Sequence, residues 1–231
     1  MSVSRPEVPI EVRPGRRAVS DWALIQLQEL ILSGRLGAGD SLGEVELTQM
    51  LGVSRSPTSA ALRQLEDSGL VDVSPTNGRR TVKRFDAQDV DELYTIRLAL
   101  EPLGAQLAAE RVSAPQLRQL SNMLPGDIDD SDAGGHAALL AAHFRFHAAI
   151  CEASRITRLA QLLKDPWLQT RALLAQFKAG GTWPASGVDA PGPASHEAIL
   201  EHLRERDPEA AASALAEHLR SAREALLAAI G

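Results

Sequence analysis

The spacing of apolar residues changes partway along the chain. From Trp22 to Leu32 they recur at the three- and four-residue intervals of a helix with a broad buried face. The same spacing predicts shorter helices over about 44–50 and 55–68, after the glycine-rich break "SGRLGAGD". Beyond them "LVDV" and "RTVK" alternate as strands do, and "TNG" between them is typical of a hairpin turn. Three helices followed by a β-hairpin is the element order of a winged helix-turn-helix.

From Asp86 onward only helical spacing is present. "DAQDVDELYTIRLALEPLGAQLAAERV" predicts one long amphipathic helix, and "APQLRQLSNML" opens another. The loops "PGDIDDSDAGG" and "AGGTWPASGVDAPGPAS" separate later helices, the last of which begins with Asp207 as N-cap and Pro208 at its first position. The predicted fold class is mainly α. The predicted parts are a flexible arm over 1–18, a winged helix-turn-helix over 19–85 and an all-α bundle of about six helices over 86–231.

Composition narrows the class of protein. Only 3% of the residues are aromatic, so the cores must rest on Leu, Ala, Val and Ile. No apolar run approaches the roughly 18 residues that span a bilayer, and the N-terminus lacks the apolar core of a secretion signal. A cytoplasmic protein without membrane partners is therefore predicted. A single cysteine, Cys151, excludes an internal disulfide.

Charge is distributed unevenly. The net charge is −6, but residues 1–85 carry 11 Lys and Arg against 10 Asp and Glu, whereas residues 86–231 carry 13 against 20. This distribution permits DNA binding by one face of the N-terminal part. "GRR" at the tip of the predicted hairpin favours a DNA-binding domain over a small helical domain that does not bind DNA. The predicted DNA-contacting residues are Ser54, Arg55, Ser56, Thr58, Ser59, Arg63, Asn77, Gly78, Arg79 and Arg80.

Four histidines fall on apolar helix faces. His143 and His147 are one turn apart in "AHFRFHAAI", and His196 and His218 share faces with leucine, isoleucine or alanine in two later helices. Burying several imidazoles costs desolvation energy unless something binds their lone pairs. A divalent transition metal does so, and the pattern therefore predicts a metal site.

The remaining candidates for ligands or catalysis are weaker. His136 and His202 fall on surface positions, and Cys151 is typical of a small buried apolar residue. A metalloenzyme would require a general base, but Glu197 lies about 100° from His196 around its helix, and no Glu-x-x-His or His-Glu-x-x-His motif occurs. A non-enzymatic protein is predicted, and its metal site either binds a ligand or is purely structural or empty.

Longer blocks of sequence add a resemblance. "ILSGRLGAGDSLGEVELTQMLGVSRSPTSAALRQLEDSGLV", "DVDELYTIRLALEPLGAQLAAE", "HFRFHAAICEAS" and "HEAILEHLRERDPEAA" occur in this order. Over about residues 19–230 the chain resembles a GntR-family transcription regulator of the FadR subfamily with an FCD-type ligand-binding domain. The resemblance implies a homodimer that binds operator DNA, often as a repressor, and that dissociates from the DNA when a small organic acid binds. It also implies a metal in the helical domain.

Carried over to this sequence, the family's metal ligands fall on His143, His147, His196 and His218. His143 departs from the family, which usually has an acidic residue at this position. Four imidazoles add no negative charge, and an all-imidazole site favours Zn, Ni or Co over Mn. The full positive charge of the bound ion would also attract an anionic effector to an open coordination position. The alternative is a closed, structural site with no room for an effector. Arg97 matches a family arginine that faces the effector cavity, and a salt bridge to Glu101 is the alternative.

The predicted winged helix-turn-helix over 19–85, which we call the reading head, also departs from the family. Arginines that the family carries before and within the recognition helix are replaced by Val45 and Ser59, while Arg55 remains. Bidentate arginine contacts with guanine contribute roughly 1–3 kcal/mol of discrimination each. An unusual operator or weaker, less specific binding is therefore predicted. Phosphate contacts offset the loss and give binding a steep salt dependence; the candidates are Arg79, Arg80 and the arm's Arg13, Arg16 and Arg17.

Overall fold

The chain folds into an N-terminal unit with a small sheet and a larger helical bundle. The computed structural model describes residues 16–124, 133–180 and 195–230. The elements of the N-terminal unit are α1 (Arg16–Leu32), α2 (Glu44–Leu51), α3 (Arg55–Asp67), β1 (Val71–Val73) and β2 (Arg80–Val82). Those of the bundle are α4 (Ala87–Arg111), α5 (Ala114–Ser121), α6 (Ala133–Ala153), α7 (Thr157–Ala179), α8 (His196–Glu205) and α9 (Pro208–Ile230). Within the described residues this confirms the predicted fold class.

The first three helices bury their apolar faces in one core. Leu27, Leu47 and Leu62 meet there, one from each helix. The turn between α2 and α3 depends on Gly52, which ends α2 in the left-handed conformation with φ 64°. A side chain would strain the backbone at this position, so the glycine permits the tight helix-turn-helix connection.

The two strands form the predicted hairpin, which we call the wing together with its loop over residues 74–79. They pair antiparallel, with Val71 opposite Val82 and Val73 opposite Arg80. The ladder is extended by the Ser74 N–H, which donates to the Arg79 carbonyl at 2.9 Å. Gly78 adopts a positive φ of 68°, in agreement with the predicted glycine turn.

The bundle packs around α4 and α9, which lie against each other along much of their length. α4 begins with a capping box between Asp86 and Asp89. α9 begins as predicted, because the Asp207 carboxylate accepts a hydrogen bond from the Ala210 N–H at 3.0 Å. Gly104 of α4 lets α6 approach closely, since a Cβ there would lie 3.0 Å from the Cys151 sulfur.

α7 joins the bundle to the N-terminal unit. Its residue Ala172 is buried in the core of the N-terminal unit, and Leu168 packs against that core. Gln176 of α7 donates to the Lys83 carbonyl at 2.7 Å and accepts from the Phe85 N–H at 3.4 Å. The short connection between β2 and α4 is therefore hydrogen-bonded to the bundle.

Two predicted boundaries are wrong in detail. α1 already includes residues 16–18, which were predicted as part of the arm, because Arg and Ala favour helix and extend the pattern that starts at Trp22. α6 begins at Ala133, so the end of the predicted polar loop is helical. The rest of that loop (125–132), most of the second predicted loop (181–194) and residues 1–15 of the arm lie outside the described residues.

Candidate functional site

The structure brings the four predicted histidines together inside the bundle. His143 and His147 come from α6, His196 is the first residue of α8, and His218 comes from α9. All four are buried, and one ring nitrogen from each lies within 4.8 Å of the others. The Nε2 atoms of His147 and His196 are 3.3 Å apart. Zn–N bonds of 2.0–2.1 Å in a tetrahedron separate ligand nitrogens by about 3.3 Å, so this pair already has a suitable spacing.

The environment favours neutral imidazoles. Burial, together with the neighbouring histidines and Arg97, lowers the pKa of His143 well below its usual value. Burial and the Arg97 guanidinium also lower the pKa of His147. A neutral imidazole has a lone pair for a metal, whereas a protonated one does not.

The donor set fits a divalent transition metal. Imidazole suits divalent transition metals such as Zn and Ni, and Nδ1 of His143 is buried without a hydrogen-bond partner. Cys151 is buried but is not part of the group, and its sulfur lies against α4. Burial raises the pKa of the Cys151 thiol, which opposes its use as a thiolate ligand. His202 lies at the surface near Glu205, and the side chain of His136 is outside the described residues.

Arg97 is fully buried beside the histidines. Its Nε donates to Glu101 Oε1 at 2.6 Å, so the predicted salt bridge is present. The guanidinium also lies 4.9 Å from the ring centroid of Tyr94 and 5.3 Å from that of Phe144. Its Nη2 atom is buried and has no hydrogen-bond partner, so one side of the guanidinium has unused donor capacity.

Most predicted residues of the recognition helix lie at its exposed start. Ser54 is the N-cap of α3, and Arg55, Ser56 and Arg63 are exposed. Ser59 is half-buried and accepts a hydrogen bond from Arg63 Nη1 at 3.1 Å.

Thr58 differs from the prediction. Its side chain is buried, and its hydroxyl lies 3.1 Å from the Ser54 carbonyl and 3.2 Å from the Thr48 hydroxyl. Thr58 therefore packs α2 against α3 and is not available to DNA. The spacing of α3 explains the difference, because Thr58 falls three residues before Ala61 and four before Leu62 on the inner face.

The wing exposes three of its four predicted residues. Asn77, Gly78 and Arg79 are exposed, and Arg79 Nε donates to Ser41 Oγ at 3.1 Å. Arg80 is half-buried and forms an ion pair with Glu66 of α3. One guanidinium of the pair predicted at the tip therefore stabilises the packing of the wing on α3.

Sequence reasoning did not find the hydrogen-bonding partners of the histidine group. Glu101 Oε2 lies 2.5 Å from His147 Nδ1, and Trp167 Nε1 donates to Glu101 Oε1 at 2.9 Å. A signal for Glu101 existed, because it shares the spacing of Val90, Arg97 and Ala108 on the buried face of α4. Trp167 comes from a helix distant in sequence, and no local pattern connects it to Glu101.

The comparisons with known proteins agree with this architecture. The model of the bacterial regulatory proteins of the gntR family matches residues 23–80, and the FCD domain model matches residues 92–221. The HTH-type transcriptional regulator YdhC of Bacillus subtilis is 30% identical over 144 residues, which are 60% of this chain and 62% of YdhC. The "Probable D-xylose utilization operon transcriptional repressor" of Paenarthrobacter nicotinovorans is 27% identical over 189 residues, 82% of this chain and 80% of that protein. The structure of McbR/YncC from E. coli has a similar fold, with a TM-score of 0.72 at 22% identity over 90% of this chain and 96% of that one.

A GntR-type winged helix-turn-helix followed by an FCD domain is the domain organisation of DNA-binding transcriptional regulators. The chain belongs to the GntR family of bacterial regulatory proteins, with an FCD domain at its C-terminal side. No described helix is both long and apolar enough to cross a membrane.

Proposed function

We propose that this regulator binds one divalent transition metal, with zinc favoured over nickel and cobalt, through His143, His147, His196 and His218. We further propose that a small carboxylate binds beside the metal and changes the affinity of the protein for operator DNA. The observation that carries the proposal is the group of four buried imidazoles whose ligand atoms lie within 4.8 Å of one another. Such a group costs desolvation energy that metal coordination offsets.

Arg97 supports a carboxylate as the effector. Its buried guanidinium already uses Nε for Glu101, while Nη2 has no hydrogen-bond partner. Guanidinium groups bind carboxylates through two parallel hydrogen bonds when both donors are available. In this proposal Nη2 contributes one charge-assisted bond, and the metal attracts the same anion because its four ligands are uncharged.

α7 offers a route from the metal site to the reading head. Trp167 contacts Glu101 next to the histidines, and the following residue, Leu168, packs against the core of the N-terminal unit. A shift of α7 therefore moves groups in both units. We infer that effector binding favours one position of α7 and that this position alters the orientation of the reading head.

Homodimerisation belongs to the same proposal. α4 and α7 pack against each other and expose large apolar side chains, Leu103 at 46% and Leu162 at 62%. Covering these residues with a second copy would remove them from water. Sedimentation equilibrium at micromolar concentration tests this, with twice the chain mass expected and the monomer mass contradicting it.

DNA contacts are proposed for the exposed start of α3 and the tip of the wing. Arg55 and Arg63 lie on the exposed side of α3, where a recognition helix meets base edges and phosphates. Arg79 extends from the wing toward Ser41 and is exposed. A repressor that the effector releases is the proposed mode of control.

The decisive experiment measures metal per chain by elemental mass spectrometry. We expect about one zinc or nickel per chain in the wild type, loss of the metal in His147→Ala, and retention in the matched variant His202→Ala, whose ring lies at the surface. Operator sequences are then selected from random duplexes, and their affinity is measured with zinc and a panel of mono-, di- and tricarboxylates.

Each outcome has a definite meaning. Absence of metal in the wild type after zinc reloading overturns the metal site. A metal-loaded protein whose DNA affinity is unchanged by every carboxylate overturns effector control. If, in addition, chelation unfolds the bundle, the metal has a purely structural role.

A further inference from the structure

Glu101 is a buried carboxylate that connects three helices at the histidine group. It has no exposed surface, and each of its oxygens lies within hydrogen-bonding distance of at least one nitrogen. Oε1 accepts from Arg97 Nε at 2.6 Å and from Trp167 Nε1 at 2.9 Å. Oε2 lies 2.5 Å from Nδ1 of His147. Arg97 and Trp167 therefore fix the orientation in which the carboxylate meets the histidine.

This contact determines which nitrogen of His147 carries the proton. An ionised carboxylate only accepts hydrogen bonds, so Nδ1 of His147 must be the donor. A neutral imidazole protonated at Nδ1 has its lone pair on Nε2. That atom lies in the histidine group, 3.3 Å from Nε2 of His196. The hydrogen bond thus presents the lone pair of His147 toward the other ligands.

We propose that Glu101 is the positioning residue of the metal site, which holds His147 in the tautomer and ring orientation that bind the metal through Nε2. This inference rests on the proposed metal site and adds a residue that does not itself bind the ion. Carboxylates behind metal-bound histidines commonly act in this way, and their loss weakens metal binding 10- to 100-fold.

The alternative is that Glu101 only neutralises Arg97 inside the bundle. Replacing Glu101 with an uncharged residue would leave Arg97 unpaired and endanger folding. Glu101→Asp avoids this, because it keeps the charge and withdraws the carboxylate by one methylene, about 1.5 Å. The shorter side chain cannot reach His147 and both other donors at once. Glu110→Asp is the matched control, since Glu110 is exposed on the same helix.

The experiment uses the full chain with Zn²⁺ and a competing chromophoric chelator. For Glu101→Asp we expect the zinc dissociation constant to rise 10- to 100-fold, whereas Glu110→Asp remains at the wild-type value. In the metal-free protein, ¹⁵N spectra of labelled histidine should give Nδ1–H for His147 in the wild type and a mixture of tautomers in Glu101→Asp. A residue that only neutralises Arg97 changes neither quantity.

The outcomes separate this inference from the metal site itself. Equal zinc affinity and an unchanged tautomer in folded Glu101→Asp overturn the role of Glu101 and leave the metal site in place. A wild-type protein that binds no zinc overturns both. If Glu101→Asp does not fold, Trp167→Phe keeps a buried aromatic ring, although a smaller one, and removes the indole donor to Oε1. It should raise the zinc dissociation constant several-fold, and wild-type affinity with an unchanged Nδ1–H signal would overturn the proposal.

Discussion

At the scale of single residues, the buried imidazoles make stability depend on pH. Burial lowers the pKa of His143 and of His147 well below the value that each has in an unfolded chain. Below about pH 6.5 the unfolded chain binds protons at these residues while the folded chain does not. The unfolded state then holds more protons, so the free energy of unfolding falls as the pH falls.

We predict this loss for protein stripped of metal with a chelator. Each of the two histidines contributes a slope that approaches about 1.4 kcal/mol per pH unit below pH 6.5. Urea unfolding at pH 7.5, 6.5 and 5.5 measures it. His143→Leu should reduce the slope, whereas His202→Ala should not, because His202 is at the surface. A slope that is the same in all three proteins contradicts the prediction.

Individual residues also mark how far a sequence determines a site. The four histidines were predictable, because each shares a helical face with apolar neighbours and the pattern is local. The burial of Thr58 follows from the same periodicity. Thr58 was nevertheless predicted to contact DNA, because it lies near the start of the recognition helix. The contact of Trp167 with Glu101 joins residues 66 positions apart. Such a contact depends on how whole helices pack, which no local spacing encodes.

At the scale of elements, two adjacent arginines of the wing have different roles. Arg79 is exposed near the tip, while Arg80 is paired with Glu66 of α3. Both were predicted to reach DNA, since alternation along a strand does not reveal which side α3 covers. The structure does, because Val71 and Val82, on the same face of the hairpin as Arg80, are buried in the core of the N-terminal unit.

We predict different effects of the two substitutions on binding to a duplex of arbitrary sequence. Arg79→Ala should lower the affinity and reduce the slope of log K against log salt by about one, because one phosphate contact is lost. Arg80→Ala should leave this slope unchanged. Fluorescence anisotropy titrations between about 50 and 200 mM salt measure both slopes. Equal reductions in the two variants would contradict the assignment.

Helix boundaries were predictable to within a few residues where a cap or a glycine is present. Asp207 with Pro208 marks the start of α9 in the sequence and in the structure. The start of α1 was misplaced, because the Pro- and Arg-rich composition before Trp22 suggested an arm. The sequence thus locates the end of a helix only where a capping residue marks that end.

At the scale of the whole molecule, α7 holds the connection between the two units. Gln176 hydrogen-bonds to Lys83 and Phe85, and the Lys83 ammonium lies 2.8 Å from Asp89. Arg84 Nη2 donates to the Ala38 carbonyl at 3.1 Å. Each residue of the connection is therefore tied to a neighbour.

We predict that Gln176→Ala loosens this connection without unfolding either unit. Two hydrogen bonds contribute about 1–2 kcal/mol together, so trypsin should cut after Lys83 or Arg84 roughly tenfold faster. Mass spectrometry of limited digests identifies the sites. Gln161→Ala, at an exposed position of the same helix, is the control. Equal cleavage rates in wild type and Gln176→Ala would show that the connection is held by other contacts.

The tied connection also has a consequence for the thermodynamics of DNA recognition. A reading head on a loose tether must lose orientational freedom each time it docks, and that loss weakens binding. Here the orientation of the head is already selected during folding, by the contacts of α7 with Lys83, Phe85 and the core of the N-terminal unit. In the proposed homodimer, preorganisation of this kind would strengthen binding to one arrangement of half-sites and weaken binding to every other spacing.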